Sequence, residues 1–323
     1  MDLIYTDANR VDLGVIPAYA FDLSYGAAEN DFAITVGKSE VSLAPKSLAY
    51  IEGTEYGGMI DAMKATTKSE SITYTGRTWH GILNSKVIQP DTGENYLIVS
   101  GDANAILSML VSRLGLSELF VTAETDSRVN ISRYQFARFC KGYDGIRAML
   151  AKNGAKLKIK WDAESKKVML STVPQVDYSA EPVDGDMATL SVERHETKVN
   201  HLICLGRGEL AEREVIHLYA DQNGQISEAQ FYTGVDEVVD IYENTAVESS
   251  EELRSGGVSR FEELRNTDKA EMDLMETESP LYDIGDIVGA TDIETGISIS
   301  APVTQKIVKI ENGAIRTEYK TGG

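Results

Sequence analysis

Four histidines and two cysteines in a chain of 323 residues leave few candidates for metal or nucleophilic chemistry, and each can be judged by its spacing. His195-Glu196 opens like a zinc-protease motif, but the next histidine is His201, whereas a helix brings two histidines to one metal at a spacing of about four. The surroundings are strand-like, so both read as ordinary, partly exposed histidines. Asp91-Thr92-Gly93 matches a fragment of the aspartic-protease signature. It follows Gln89-Pro90 instead of a buried apolar strand, and no second copy supplies a paired carboxylate, so it reads as a turn. Cys140 and Cys204 stand far apart with no metal-type spacing and read as reduced, buried thiols. Gly206-Arg207-Gly208 lacks the further glycine and the helix of a dinucleotide site, and neither a phosphate loop nor a nucleophile elbow occurs. The acidic run from Asp236 to Glu252 lacks the alternating pattern of a calcium loop and reads as a solvated face. Trp79 and Trp161 have no interleaved basic residues and read as core or interface anchors. No catalytic, cofactor or metal residue is therefore assigned, and the expectation is a protein that is not an enzyme.

The charge narrows the partners. With 51 acidic against 31 basic residues the net charge is −20, which repels phosphate backbones and anionic membranes. Neither direct nucleic-acid binding nor membrane insertion is expected. Met1-Asp2-Leu3-Ile4-Tyr5-Thr6-Asp7 has no basic segment followed by an apolar one, and no run of about 18 apolar residues occurs, which implies synthesis in the cytosol. With 51 carboxylates, some pair will fall at glycosidase separation by chance, so a carboxylate-based cell-wall glycan hydrolase stays open as an alternative.

The elements that must position these residues follow from periodicity. From Met1 to about Pro90, runs such as Phe21-Asp22-Leu23-Ser24-Tyr25 and Phe32-Ala33-Ile34-Thr35-Val36 alternate at period two, with turns at Gly53, Gly57-Gly58 and Gly93. Asp102 caps a helix with the apolar stripe Ile106, Leu107, Leu110, Val111 and Leu114, ending at Gly115. A second helix sets Tyr143, Ile146, Arg147 and Leu150 on one face and stops at Asn153-Gly154. Lys156 to Trp161 and Lys167 to Ser171 form a hairpin whose lysines guard its edges. Past an acidic bridge, Tyr178 to Met187, strand periodicity returns at Val199 to Gly206. Asp221-Gln222-Asn223-Gly224 is a tight turn, Glu248 to Lys269 is helical but interrupted at Gly256-Gly257, and Tyr282 to Lys320 closes the chain in short strands. The reading is a β-rich α+β chain: a barrel-like β domain at 1–95, a small α+β domain at 96–180, and a barrel-like β-rich domain at 188–323 with an acidic helical segment.

Three stretches carry a resemblance. Ile72 to Pro90 places Gly76, Arg77 and Trp79 at a strand-to-helix junction. Asn200 leads a strand into Gly206-Arg207-Gly208, and Gln230 to Gly234 follows the hairpin. Tyr282-Asp283-Ile284-Gly285-Asp286-Ile287-Val288 precedes the closing strands Val303 to Ile310 and Ile315 to Lys320. Together they resemble the siphophage tail-associated hub family, which is similar in architecture to the baseplate hubs of contractile tails. The resemblance implies a homotrimeric ring beneath the tail tube of a phage or prophage, joined to the tube and to distal tail or tip proteins, assembled in the bacterial host cytoplasm and resident at the virion tail tip. It also implies barrel domains that imitate the sixfold symmetry of the tube. Many family members continue into a hydrolase or receptor-binding extension. This chain ends at Lys320-Thr321-Gly322-Gly323, so any cutting activity is expected elsewhere. A monomeric receptor- or carbohydrate-binding tail module is the other alternative.

Overall fold

The computed structural model describes residues 1–38, 41–180, 183–184, 188–193, 197–247, 249–265, 269–276, 282–291, 298–311 and 313–322. His195, Glu196 and Glu248 lie outside the described residues. The chain divides into two compact units, one of Met1–Leu190 with Glu271–Gly323, the other Ser191–Ala270.

The first unit is built on one long antiparallel sheet. From its open end the strands run Asp12–Ile16, Leu3–Thr6, Leu48–Tyr50, Gly57–Ala65, Ser71–Thr78, Asp31–Gly37, Ala20–Gly26, Ser298–Glu311, Ala314–Thr321 and Lys269–Glu276. The alternation read in the sequence is what the burial shows: Phe32, Ile34 and Val36 are buried while their neighbours are less so. The C-terminal strands that the sequence reading places in a domain of their own pair instead with the N-terminal ones, Ile310 opposite Phe21 and Val308 opposite Leu23. Those four side chains share one core with Leu3, Tyr25 and Ile34. Period-two alternation identifies a buried face but not the strand that will lie beside it, which is why the pairing of the two chain ends was not foreseen. Among the described residues no sheet closes on itself.

The stretch between these strands is the expected α+β arrangement. Ala155–Asp162 and Lys167–Pro174 form the hairpin, with Phe120–Thr122 parallel to the latter. Asp102 accepts from the backbone N–H groups of Asn104 at 3.0 Å and Ala105 at 3.2 Å, capping the helix Ala103–Arg113. That helix buries Ile106, Leu107, Leu110 and Val111, and Gly115 ends its last turn at φ +69°. Gly142–Ala151 buries Tyr143, Ile146, Met149 and Leu150. Arg147 is only half-buried and lies 5.4 Å over the Tyr143 ring. Trp79, Trp161 and Tyr50 stack within the same core, with ring centroids 5.8 Å apart for the tryptophans and 3.9 Å for Tyr50 and Trp161.

The second unit is a four-stranded sheet in the order Ile226–Ser227, Val215–Ala220, His201–Leu205, Val239–Glu243, with the helix Ser250–Arg265 against one face. This helix runs unbroken through Gly256-Gly257, where the sequence suggested an interruption. A Cβ on Gly257 would stand 2.4 Å from the Cys204 Sγ, and one on Gly256 2.6 Å from the Tyr242 hydroxyl. The glycines are there to let the helix approach the sheet, and that gain offsets their poor helix propensity. Cys204 is buried beneath the helix, Cys140 is half-buried, and both are free thiols. Among the described residues, no helix is long and apolar enough to cross a membrane.

Candidate functional site

The densest polar cluster of the first unit gathers around Asp286. Gly285 adopts φ +100°, a conformation open to glycine, and turns the chain so that the Asp286 side chain points inward, only 1% exposed. The Lys156 ammonium donates to both carboxylate oxygens, at 2.7 and 2.6 Å, and the backbone N–H groups of Val176 and Asp283 donate at 2.9 Å each. Lys156 was read as an edge lysine. Lys158 and Lys160 share its face of the strand and stay exposed, but Lys156, near the strand's start, lies against the buried Asp286 carboxylate and is itself buried. A lone buried ammonium would be far costlier than this pair. Burial by itself would raise the Asp283 carboxyl, but the nearby ammonium groups of Lys156, Lys306 and Lys158 outweigh it and hold the group below the usual carboxylate range.

Lys306, also buried, donates to Glu55 at 2.7 Å, and the Tyr25 hydroxyl donates to the same oxygen at 2.7 Å. Burial would lower the Lys306 ammonium, but Glu55 and then Asp283 among its acidic neighbours raise it. Burial and the Glu55 carboxylate push the Tyr25 hydroxyl well up. His80 stacks on Tyr25 with centroids 4.4 Å apart and meets Tyr143 edge-on. Burial, helped by Lys306 and Arg147 against the pull of Glu55, lowers the imidazole to about 4. Lys306, Glu55, His80 and Tyr143 line a cavity of about 390 Å³ that also touches Asp283 and Lys160. Two acids, Glu55 and Asp283, thus face one cleft, as a glycan hydrolase would require. Their chemistry is wrong for it: Lys306 lies 2.7 and 3.9 Å from them, and a general acid needs a carboxyl pushed up, where Asp283 is pushed down.

The positions singled out by motif fall at three separate places. Gly76 lies where two strands meet most tightly, since a Cβ there would stand 1.9 Å from the Met59 carbonyl oxygen. Arg77 grips Asp61 through two nitrogens, at 2.7 and 2.8 Å. Trp79 begins the short buried helix Trp79–Asn84, which Thr78 caps. In the second unit, Asn200 donates to the Asp236 carbonyl at 2.7 Å and accepts from the Val238 N–H at 2.9 Å, fixing the start of two strands. A Cβ on Gly206 would meet Leu253 at 2.8 Å. Gly208 and Gly234 hold φ of +92° and +65°, and a Cβ on Gly208 would meet the Glu212 carbonyl oxygen at 2.4 Å. Gly285 and Asp286 belong to the cluster above. Every one of these contacts serves chain path or packing.

Other candidates resolve simply. Asp91 lies in a turn with Gly93 at φ +90° and pairs with Arg113 at 2.7 Å. His201 is buried, not partly exposed: its Nδ1 lies 2.8 Å from Glu237 and its Nε2 2.8 Å from the Nδ1 of His217. Sequence spacing missed this trio because strand register, not chain distance, unites it. Among the described residues no group of three or more His, Cys, Asp or Glu side chains, this trio included, is arranged to hold a metal ion. Surface features matching an assembly role do occur. The outermost strand of the long sheet, Asp12–Ile16, exposes Leu13 and Val15, with Val11 exposed just before it, along an edge that has no described neighbour.

No protein-family profile and no curated protein matches the sequence. Solved structures do match, and the fold they share is that of phage tail and baseplate proteins. The 43 kDa tail protein of prophage MuSo2 from Shewanella oneidensis superposes with a TM-score of 0.56 at 11% identity, over 99% of this chain and 97% of that one. The tail protein from Neisseria meningitidis MC58 gives 0.53 at 12% identity, over 100% and 96%. A chain of the phage P2 baseplate in its activated conformation with Ca gives 0.54 at 11% identity, over 100% and 99%.

Proposed function

We propose that this chain is a structural component of a phage or prophage tail, a hub or baseplate protein that works by protein contacts and carries out no catalysis. The observation that carries the reading is the end-to-end correspondence of its fold with tail and baseplate proteins, 99–100% of this chain against 96–99% of theirs. The chemistry of the molecule supports it. Gly76 serves close strand approach, and the acids of the cleft at Glu55 and Asp283 are neutralised by a buried lysine.

In this reading three copies form a ring at the end of the tail tube, each contributing the long sheet that its two chain ends build, and the ring joins the tube to distal tail or tip proteins. The exposed edge at Asp12–Ile16 is the surface best suited to contacts between copies, because unpaired backbone groups and an apolar row invite strand addition. The assembly forms in the host cytoplasm and remains in the virion tail. Light scattering of the purified chain across salt concentrations tests the stoichiometry. Subunits of charge −20 repel, and salt screens that repulsion. A trimer favoured by salt is expected, whereas a strict monomer at every protein and salt concentration counts against a self-assembling ring and towards a monomeric binding module.

A further inference from the structure

The sheet of the second unit has two faces of opposite fate. Leu202, Cys204 and Leu218 lie beneath the helix with Leu253 and Phe261. The other face is set by register: Leu205 stands beside Val215 and Glu243, Ile203 beside His217 and Ile241, and His201 beside Tyr219 and Val239. Nothing described covers its margin, and Ile241 is 60% exposed, Val239 46% and Val215 45%. Such a row of β-branched side chains on a strand is costly to leave in water.

The same strand, Val239–Glu243, ends the sheet. It runs parallel to His201–Leu205 and has no described neighbour on its other side. The Ile241 N–H is met by the carboxylate of the preceding Asp240, at 2.8 Å, in place of a strand. The fringe is acidic: from Glu214 to Leu253 the sequence has no lysine or arginine, while Asp236, Glu237, Asp240 and Glu243 crowd the edge. The arginines at either end of that stretch are already engaged, Arg213 with Glu243 and Arg254 with Glu228. A second copy pairing this edge with its own counterpart would bring the same acids against themselves, which like-charge repulsion opposes.

We propose that this edge binds an extended segment of another protein in which apolar residues alternate with lysine or arginine. A strand added beside Val239–Glu243 sets alternate side chains on alternate faces. Its apolar residues lie along Val239 and Ile241, and its cations lie along Asp240 on the opposite face. The pairing needs only the second unit's own surface and does not depend on the chain's belonging to a tail.

The test uses the full chain and two fluorescein-labelled synthetic peptides of identical composition, one alternating lysine with valine or isoleucine, the other with the lysines and the apolar residues in separate blocks. In fluorescence polarisation the alternating peptide is expected to bind at least about tenfold tighter than the block peptide. Ile241→Asp is expected to weaken it by about tenfold or more. The milder Val239→Thr/Ile241→Thr, which keeps β-branched shape, weakens it in the same direction. Met63→Asp, at an exposed residue on a strand of the other unit that is not at a sheet edge, leaves it within about twofold. Equal binding of both peptides reduces the effect to charge attraction and overturns the proposal. So does absence of binding at low salt, or equal losses for the Met63 and Ile241 variants.

Discussion

Removing the Asp286 carboxylate tests whether the buried ionic cluster holds the first unit together. Asp286→Ala deletes an acceptor that receives two bonds from the Lys156 ammonium and one each from the backbone N–H groups of Val176 and Asp283. What remains is an ammonium 7% exposed whose one other near carboxylate is Asp283, at 3.2 Å. Breaking a buried pair by deleting one partner costs about 3–5 kcal/mol, because the surviving charge stays desolvated. Each orphaned N–H adds about 1 kcal/mol or more. Asp283 still neutralises part of the charge, so the expected loss is about 4 kcal/mol, a large share of the 5–15 kcal/mol that is typical of a folded domain. Both tryptophans lie in this unit, so urea unfolding followed by tryptophan fluorescence reports on it. The double replacement Lys156→Met/Asp286→Leu removes both charges and substitutes apolar bulk. It is expected to recover to within about 2 kcal/mol of the unaltered chain. A loss below about 1 kcal/mol for Asp286→Ala, or a double variant less stable than the single one, would falsify the claim that desolvated charge governs this site.

Two further expectations concern the same unit. The His80 imidazole, lowered by burial to about 4, is neutral in the folded chain down to that pH, while the unfolded chain takes up its proton near 6.5. Its contribution is therefore full above pH 6.5 and is lost as pH falls towards 4, by about 1.4 kcal/mol per pH unit at most. Thermal unfolding at pH 7 and pH 5 should show a drop that His80→Gln reduces by about 2 kcal/mol, and an unchanged drop would mean that other groups dominate. Gly76→Ala sets a methyl 1.9 Å from the Met59 carbonyl oxygen, a backbone atom that moves only with its strand. A loss of about 3 kcal/mol or failure to fold is expected, and a melting temperature within about 1 °C of the parent would show that the strands part easily there.

The stretch from Asp102 to Ser171 was the most readable part of the chain. Its signals are local: a capping carboxylate at Asp102, a stripe at Ile106, Leu107 and Leu110, a stop at Gly115, and a hairpin whose strands are close in sequence. Asp221-Gln222-Asn223-Gly224 was equally plain, and the Asp221 carboxylate accepts from Asn223 at 2.8 Å and Gln225 at 2.9 Å as such a turn allows. Gly256-Gly257 misled for the opposite reason. Propensity speaks against glycine in a helix, and only the nearness of Cys204 and Tyr242 explains why the helix continues.

By itself the sequence determined the β-rich α+β character, the net charge of −20, and the want of any spaced catalytic or metal motif. All of these follow from composition or from neighbours within a few residues. The tertiary structure alone decided that Ser298–Glu311 lies beside Ala20–Gly26, that Lys156 meets Asp286, and that His201 lies between Glu237 and His217. Each of these joins residues 16 to about 290 positions apart. Strand alternation names the face a residue occupies, but the partner across the sheet is chosen by the competition of all strands for one core, and no local pattern encodes that choice.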